Sequence, residues 1–282
     1  PGSFDKIVDI EQCLLQDDFS NEIRNFVRSF AHKNSFTFYD TRAQKGFLRN
    51  MIVRNSTQNE WMVIMIFGHH DDEKIPFMMT AILEKFPQIT SLNYVINVKV
   101  NDTIFDREVK VWSGQPYIVE KLHDVKYQIG PKSFFQTNPR QALRLFNIAV
   151  GFAELKVSDN VYDLYTGLGS IALYISGKVK NVTGIEEIPE AIADANINKA
   201  FNGISNAAFY AGDVRDILND DFVKLHGKPD VVITDPPRAG MHEDVIKTLL
   251  VLEAPAIVYI SCNPATQARD LALLNEKYET LA

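Results

Sequence analysis

The sequence predicts an α/β protein in two parts. Residues 1–124 read as a smaller α+β domain, and residues 125–282 as a domain built on a parallel sheet with helices on both faces. Three observations predict this division. From about Val125 onward, short β-branched runs alternate with helical patterns, the rhythm of βαβ units. Upstream, several strand-like runs share only two helical patterns. Between the two lies a short extended segment that breaks at Gly130-Pro131.

In the first part, a strand is expected to begin at Ile7, with helices over 19–33 and 75–86. Strands are expected over 47–54, 60–67, 92–100 and 108–112, in a mainly antiparallel sheet. In the second part, an extended segment over 125–129 leads to a helix opened by Asn138 as N-cap and Pro139 at the first helical position. Strands follow over 161–165, 182–186, 207–211, 230–234 and 256–260, with helices over 189–201 and 241–252. Residues 278–282 are expected to open a sixth strand.

With 282 residues and 46% hydrophobic content, the chain can bury one large core or two modest ones. It contains no uninterrupted apolar run of the roughly 18 to 20 residues that span a bilayer, and its first residues lack a charged region followed by an apolar one. The expectation is a cytoplasmic protein with no membrane partner. Cys13 and Cys262 form neither a CxxC pair nor a disulfide framework. A net charge of -7 and a pI near 5.4 count against binding of nucleic acid driven by overall charge. Locally, Arg24, Arg28, Lys33, Arg42, Lys45, Arg49 and Arg54 stand against the one acid Asp40. That stretch reads either as a phosphate contact or as a solvated amphipathic face. His69-His70-Asp71-Asp72-Glu73 has a metal-like composition but lies between a strand and a helix, where such residues make turns and caps, so no metal site is expected.

Chemistry concentrates at the ends of strands. Ser261-Cys262-Asn263-Pro264-Ala265-Thr266 follows the apolar run 256–260, so a thiol is delivered to a strand's carboxyl end, where open α/β sheets place their ligands. Gly167-x-Gly169-x-x-Ala172 lies between a strand and a helix, with Glu186 at the end of the next strand. The same spacing serves dinucleotide folds, in which the acid binds ribose hydroxyls. Asp213 closes the third strand and Asp235 the fourth, where Pro236 and Pro237 hold a rigid turn behind the carboxylate.

Three segments, Asp163-Leu164-Tyr165-Thr166-Gly167-Leu168-Gly169-Ser170, Thr234-Asp235-Pro236-Pro237-Arg238-Ala239-Gly240 and the run from Ser261 to Asp270, together resemble the RNA uracil-C5 methyltransferases of the 23S rRNA 5-methyluridine type. The resemblance is clearest from about Gly130 to Asp270. It implies a Rossmann-like S-adenosylmethionine-dependent methyltransferase domain after the α+β domain. It implies Cys262 as a nucleophile that adds to C6 of uracil, since C5 is too poor a nucleophile to be methylated unaided. Cofactor contacts are implied from Gln136, Tyr165, Gly167, Ser170, Glu186, Asp213 and Asp235, and substrate contacts from Phe135, Arg238 and Arg269. The family often has Cys at Thr166 and Asn at Ser170.

The implied partner is RNA, foremost ribosomal RNA, with transfer RNA the nearest alternative and the α+β domain as an RNA contact. A monomer without an obligate protein partner is expected. The family's proton-removing glutamate lies in a segment of the form Phe-Pro-His-Thr-x-His-x-Glu downstream of the cysteine, and no such segment occurs in these 282 residues. Nor does an N-terminal β-barrel RNA-binding domain or the iron-sulfur cysteine cluster of many members. A fragment with impaired turnover is the expectation. Three other readings stay open: a base amino-group methyltransferase that has no need of Cys262, a nicotinamide oxidoreductase, and an RNA-binding module without activity.

Overall fold

A computed structural model of the protein describes residues 8–281. The chain divides into two compact units, one formed by the residues up to 119 with 129–132, the other by 120–128 with 133–282.

In the first unit, α1 (Asp18–Lys33) is capped by Asp17, whose carboxylate accepts from the amide of Phe19. It buries Ile23, Val27 and Ala31 at helical spacing. A four-stranded sheet runs in the order β1 (Leu48–Asn55), β2 (Trp61–Phe67), β3 (Ser91–Ile96), β4 (Lys110–Gly114). β2 is buried at every position, as the central strand of a covered sheet must be. The expectation of a mainly antiparallel sheet needs correction at its centre. β1–β2 and β3–β4 are antiparallel, but β2 and β3 run parallel, because α2 (Lys74–Lys85) carries the chain back across the sheet between them.

Two further expectations fail here. No strand occurs among described residues 8–17, and Ile7 itself lies outside the described residues. The strand expected to reach residue 100 stops at Ile96, because Arg49 gathers the following backbone into a loop. Its guanidinium donates to the carbonyls of Asn97, Lys99, Val100 and Asn101 and to the carboxylate of Asp102. Other basic side chains of the same stretch are also held internally: Arg24 by the Glu11 carbonyl, Arg28 by Asp9, and Arg54 by the Gly130 carbonyl. The phosphate-contact reading therefore loses four of its guanidinium groups. Asp71 Oδ1 accepts from the amides of Glu73 and Lys74, a capping arrangement. Among the described residues, no three His, Cys, Asp or Glu side chains gather as a metal site, and no helix is long and apolar enough to cross a membrane.

Next come β5 (Ile118–Leu122) and β6 (Val125–Ile129), which form a separate two-stranded sheet. The second unit continues with α3 (Pro139–Ala153), capped by Asn138 accepting from the amide of Gln141. Its remaining elements in chain order are β7 (Asn160–Leu164), α4 (Ser170–Ile175), β8 (Asn181–Glu186), α5 (Pro189–Phe201), β9 (Ala207–Ala211), α6 (Val214–Ile217), α7 (Asp220–His226), β10 (Val231–Thr234), α8 (Glu243–Leu252), β11 (Ala256–Tyr259) and α9 (Pro264–Leu274). The five strands β7 to β11 are parallel and ordered β11-β10-β7-β8-β9. The order reverses at β7, so the carboxyl end of that strand is the topological switch point at which open sheets bind ligands.

One face of this sheet packs Tyr162, Leu164, Ile185 and Val232 with Val245, Ile246 and Leu249 of α8. Residues 278–281 form no strand. Tyr278 instead packs into this core, its hydroxyl donating to the Leu249 carbonyl at 3.2 Å. On α5, Asn198 and Asn202 pair with β6: each side-chain amide accepts from and donates to one residue of the strand, Asn198 with Gln128 and Asn202 with Lys126.

Candidate active site

All five parallel strands deliver a candidate residue at their carboxyl ends. Across the sheet the order is Cys262 after β11, Asp235 after β10, the glycine turn after β7, Glu186 at the end of β8 and Asp213 after β9.

The turn after β7 is strained. Tyr165 takes φ 63 and Gly167 φ 56, both left-handed. For tyrosine that conformation costs on the order of 1 kcal/mol or more, of the kind found where a fold holds a ligand-binding turn. Asp163 braces the turn from below: its Oδ2 accepts from the Thr166 hydroxyl at 2.5 Å and the Ala172 amide at 3.1 Å. From the side, Glu186 accepts from the amides of Gly167 and Ile188, each at 3.0 Å. A side chain at Gly167 would meet nothing within 4 Å, so the turn faces open space. At Gly169, by contrast, a methyl would lie 2.9 Å from the Phe209 ring, because there the turn packs on the sheet.

Electrostatically this edge is acidic. Asp163 is buried, and its Oδ1 has no hydrogen-bond partner. Burial pushes its carboxyl up to about 7, and the nearby carboxylates of Asp235 and Glu186 add to the effect against the hydrogen bonds from Thr166 and Ala172. Asp235 is half-buried, and desolvation pushes it up to about 6. Asp213 behaves oppositely. The Arg215 guanidinium, at 2.9 and 3.0 Å, and the Arg215 amide hold it below the usual carboxylate range while it caps α6.

Ser170 opens α4, and its carbonyl accepts from the hydroxyl of the fully buried Tyr127 at 2.8 Å. Phe135 packs on the Tyr127 ring, 5.3 Å between centroids, so it is a buried support and not an offered stacking platform. Its neighbour Phe134 is exposed, and Gln136 is half-buried.

The Cys262 thiol is free and exposed. Around it the Ser261 hydroxyl accepts from the Asn263 amide, and Asn263 caps α9 by accepting from the amide of Ala265. Arg238 is exposed, and its carbonyl accepts from Asn263 Nδ2 and the Thr266 hydroxyl. Arg269 is exposed, with Nε and Nη2 of its guanidinium engaged inside the protein. It bonds to Asp270 Oδ1 and to the carbonyls of Ala239 and Met241. Sequence reasoning overlooked Asp270, whose side chain is 0% exposed. The available signal was its position four residues before buried Leu274, a charge on the apolar face of a helix.

This parallel sheet, with a glycine turn at its switch point and acids on successive strand ends, defines a Rossmann-like methyltransferase domain. Residues 55–281 match the family described as tRNA (uracil-5-)-methyltransferase, and the chain belongs to that family. It is 51% identical over 285 residues to an uncharacterized RNA methyltransferase of Bacteroides thetaiotaomicron, covering 100% of this chain and 63% of that protein. A second uncharacterized RNA methyltransferase, of Staphylococcus aureus, is 38% identical over 275 residues, covering 97% and 60% respectively. The Pyrococcus abyssi tRNA (uracil-54, C5)-methyltransferase, solved in complex with S-adenosyl-L-homocysteine, is similar with a TM-score of 0.81 at 30% identity, over 96% of this chain and 64% of that one. The chain thus spans less than two thirds of the length of each of these three relatives.

Proposed function

We propose that this chain takes part in methylating C5 of a uridine in RNA, with S-adenosylmethionine as methyl donor and Cys262 as nucleophile. The observation that carries the reading is the exposed Cys262 thiol on the same sheet edge as the glycine turn, one strand away from Asp235.

The residues present suit the cofactor. Open space lies before Gly167, a buried carboxylate oxygen of Asp163 lacks a partner, and three further acids line the strand ends. That rim favours a ligand that brings positive charge and hydroxyl donors, and it disfavours the diphosphate of a nicotinamide dinucleotide. Gln136, Tyr165, Gly167, Ser170, Glu186, Asp213 and Asp235 would hold it. Each Glu186 oxygen keeps a lone pair for a ribose hydroxyl, whereas both Asp213 oxygens are engaged by Arg215, so a contact from Asp213 to an exocyclic amine would displace part of that pairing. When bound, S-adenosylmethionine supplies an electrophilic methyl group on a sulfonium.

The chain's own chemistry is the thiol's. Addition of Cys262 Sγ to C6 of uracil converts C5 into an enolate carbon able to attack an electrophile, and loss of the C5 proton later expels the thiolate. Both ring carbons are inaccessible in a stacked helix, so the target nucleotide leaves its stack. Arg238, exposed on the loop after β10, would meet the RNA. Ribosomal RNA is the substrate that the family resemblance puts first. The activity of the Pyrococcus relative favours transfer RNA as a second reading.

The test is a denaturation-resistant complex between the full-length protein and 5-fluorouridine-substituted RNA in the presence of S-adenosylmethionine. Fluorine at C5 cannot leave as a proton, so the adduct accumulates. A complex that vanishes in Cys262→Ala supports the reading, whereas RNA methylation retained by Cys262→Ala points to a base amino group as acceptor.

A further inference from the structure

We infer that Asp270 is a positioning residue for Cys262, locking the thiol's loop to the loop that carries Asp235. The inference rests on the reading of Cys262 as the nucleophile.

Cys262 immediately precedes the N-cap of α9, so the orientation of that helix sets where the thiol stands. Of the polar side chains at its N-cap and in its first two turns, Gln267 bonds to the Tyr259 carbonyl of β11, and three others are directed onto the backbone of the loop after β10. Asn263 and Thr266 bond to the Arg238 carbonyl at 3.0 and 3.2 Å, and Arg269 to the carbonyls of Ala239 and Met241 at 2.9 and 3.3 Å. Asp270 closes the arrangement. Its Oδ2 accepts from the Met241 amide at 2.8 Å and the Tyr259 hydroxyl at 2.7 Å, while its Oδ1 accepts from both Nε and Nη2 of Arg269. One buried carboxylate therefore ties together β11, the loop after β10 and α9.

Gly240 shows how closely the parts fit. It takes φ 80, and a methyl there would lie 2.6 Å from both Arg269 Nη2 and Asp270 Oδ2. The hydrogen bonds of Asp270 and Arg269 go to the loop after β10, to Tyr259 and to each other. Asp270 reaches the turn after β7 only through its charge, which adds to burial and to Asp213 in pushing the Tyr165 hydroxyl up, so the arrangement acts chiefly on the thiol and the Asp235 loop. A nucleophile held in line with its target loses rate steeply when displaced, roughly a hundredfold for 1 Å.

The experiment compares full-length parent, Asp270→Asn and Gly240→Ala in single-turnover formation of the 5-fluorouridine adduct, with S-adenosylhomocysteine affinity measured in parallel. The expected result is a rate at saturating RNA reduced at least ~10-fold, with the half-saturating RNA concentration and the S-adenosylhomocysteine affinity each within about twofold of the parent. A merely structural role would move all three together. Tyr259→Phe, which removes one donor and leaves the ion pair, serves if Asp270→Asn does not fold, with a smaller loss of about threefold expected. Parental adduct rates in the folded variants overturn the inference and leave the nucleophile standing. Absence of any Cys262-dependent adduct in the parent overturns the nucleophile reading and the inference with it.

Discussion

Glu186 accepts the amide hydrogen of Gly167 at 3.0 Å, across 19 residues of chain. The acid that ends β8 is therefore part of the support of the turn after β7, in addition to any contact with a ligand. Glu186→Ala removes both, so it should weaken S-adenosylhomocysteine binding at least ~10-fold and lower stability by about 1 kcal/mol. Calorimetric titration and chemical unfolding check the two effects, and unchanged affinity would remove Glu186 from the cofactor edge.

The two glycines of the turn should respond differently to a methyl group. Gly167→Ala places it in open space at φ 56, costing about 1 kcal/mol of backbone strain while obstructing the space in front of the turn. Gly169→Ala adds a clash with Phe209 at 2.9 Å to a similar strain. The expected outcome is loss of cofactor binding with a nearly parental melting temperature in the first variant, and a clear fall in melting temperature in the second. Equal melting temperatures would count against the packing described for Gly169.

Asp163 gives the stability a pH dependence whose sign follows from linkage. Its carboxyl titrates at about 7 in the folded chain against an ordinary value of 3.8. Between these values the native state binds more protons than the unfolded one, so stability falls as pH rises from about 4 to about 7 and then levels off. Asp163→Asn removes that component. In urea unfolding at pH 5 and pH 8, the variant's stability relative to the parent should shift in its favour at pH 8, and an identical difference at both values would show that Asp163 titrates normally.

Asn198 serves both backbone groups of Gln128, with bonds of 2.7 and 3.2 Å. Asn198→Ala leaves an amide and a carbonyl without partners in a partly buried position and should cost about 2 kcal/mol. Asn202→Ala, whose partner Lys126 is exposed, should cost less than about 1 kcal/mol, because water replaces the lost bonds. Equal losses measured by chemical unfolding would show that burial does not separate the two sites.

The parallel sheet was legible because its strands are short β-branched runs with marked ends. α5 spans the expected residues, opened by Pro189 and followed by Asn202-Gly203. Direction within the first sheet was less legible, since strand patterns carry no polarity. The helix between β2 and β3 was the clue that they run parallel. β3 was extended too far because Val98 and Val100 continue its alternation, yet they are 65% and 78% exposed in a loop that Arg49 organises. α9 went unnamed although Asn263-Pro264 repeats the Asn138-Pro139 signature that identified α3. In the candidate site, the acids and the thiol were placed by the strand ends alone. The internal engagement of Arg269 was hidden because its partners include loop carbonyls 28 and 30 residues away.

The Asn198 and Asn202 pairs also have a consequence for assembly. Four residues of helix rise about 6.0 Å and two residues of strand about 6.6 Å, so two asparagines one turn apart match successive same-side residues of an extended chain. A face of α5 thereby acts as a surrogate strand, offering donors and acceptors in the alternation that a real neighbour would. Along Lys126 and Gln128, β6 is closed to an incoming chain, which spares a short hairpin the edge-to-edge association that open strands invite.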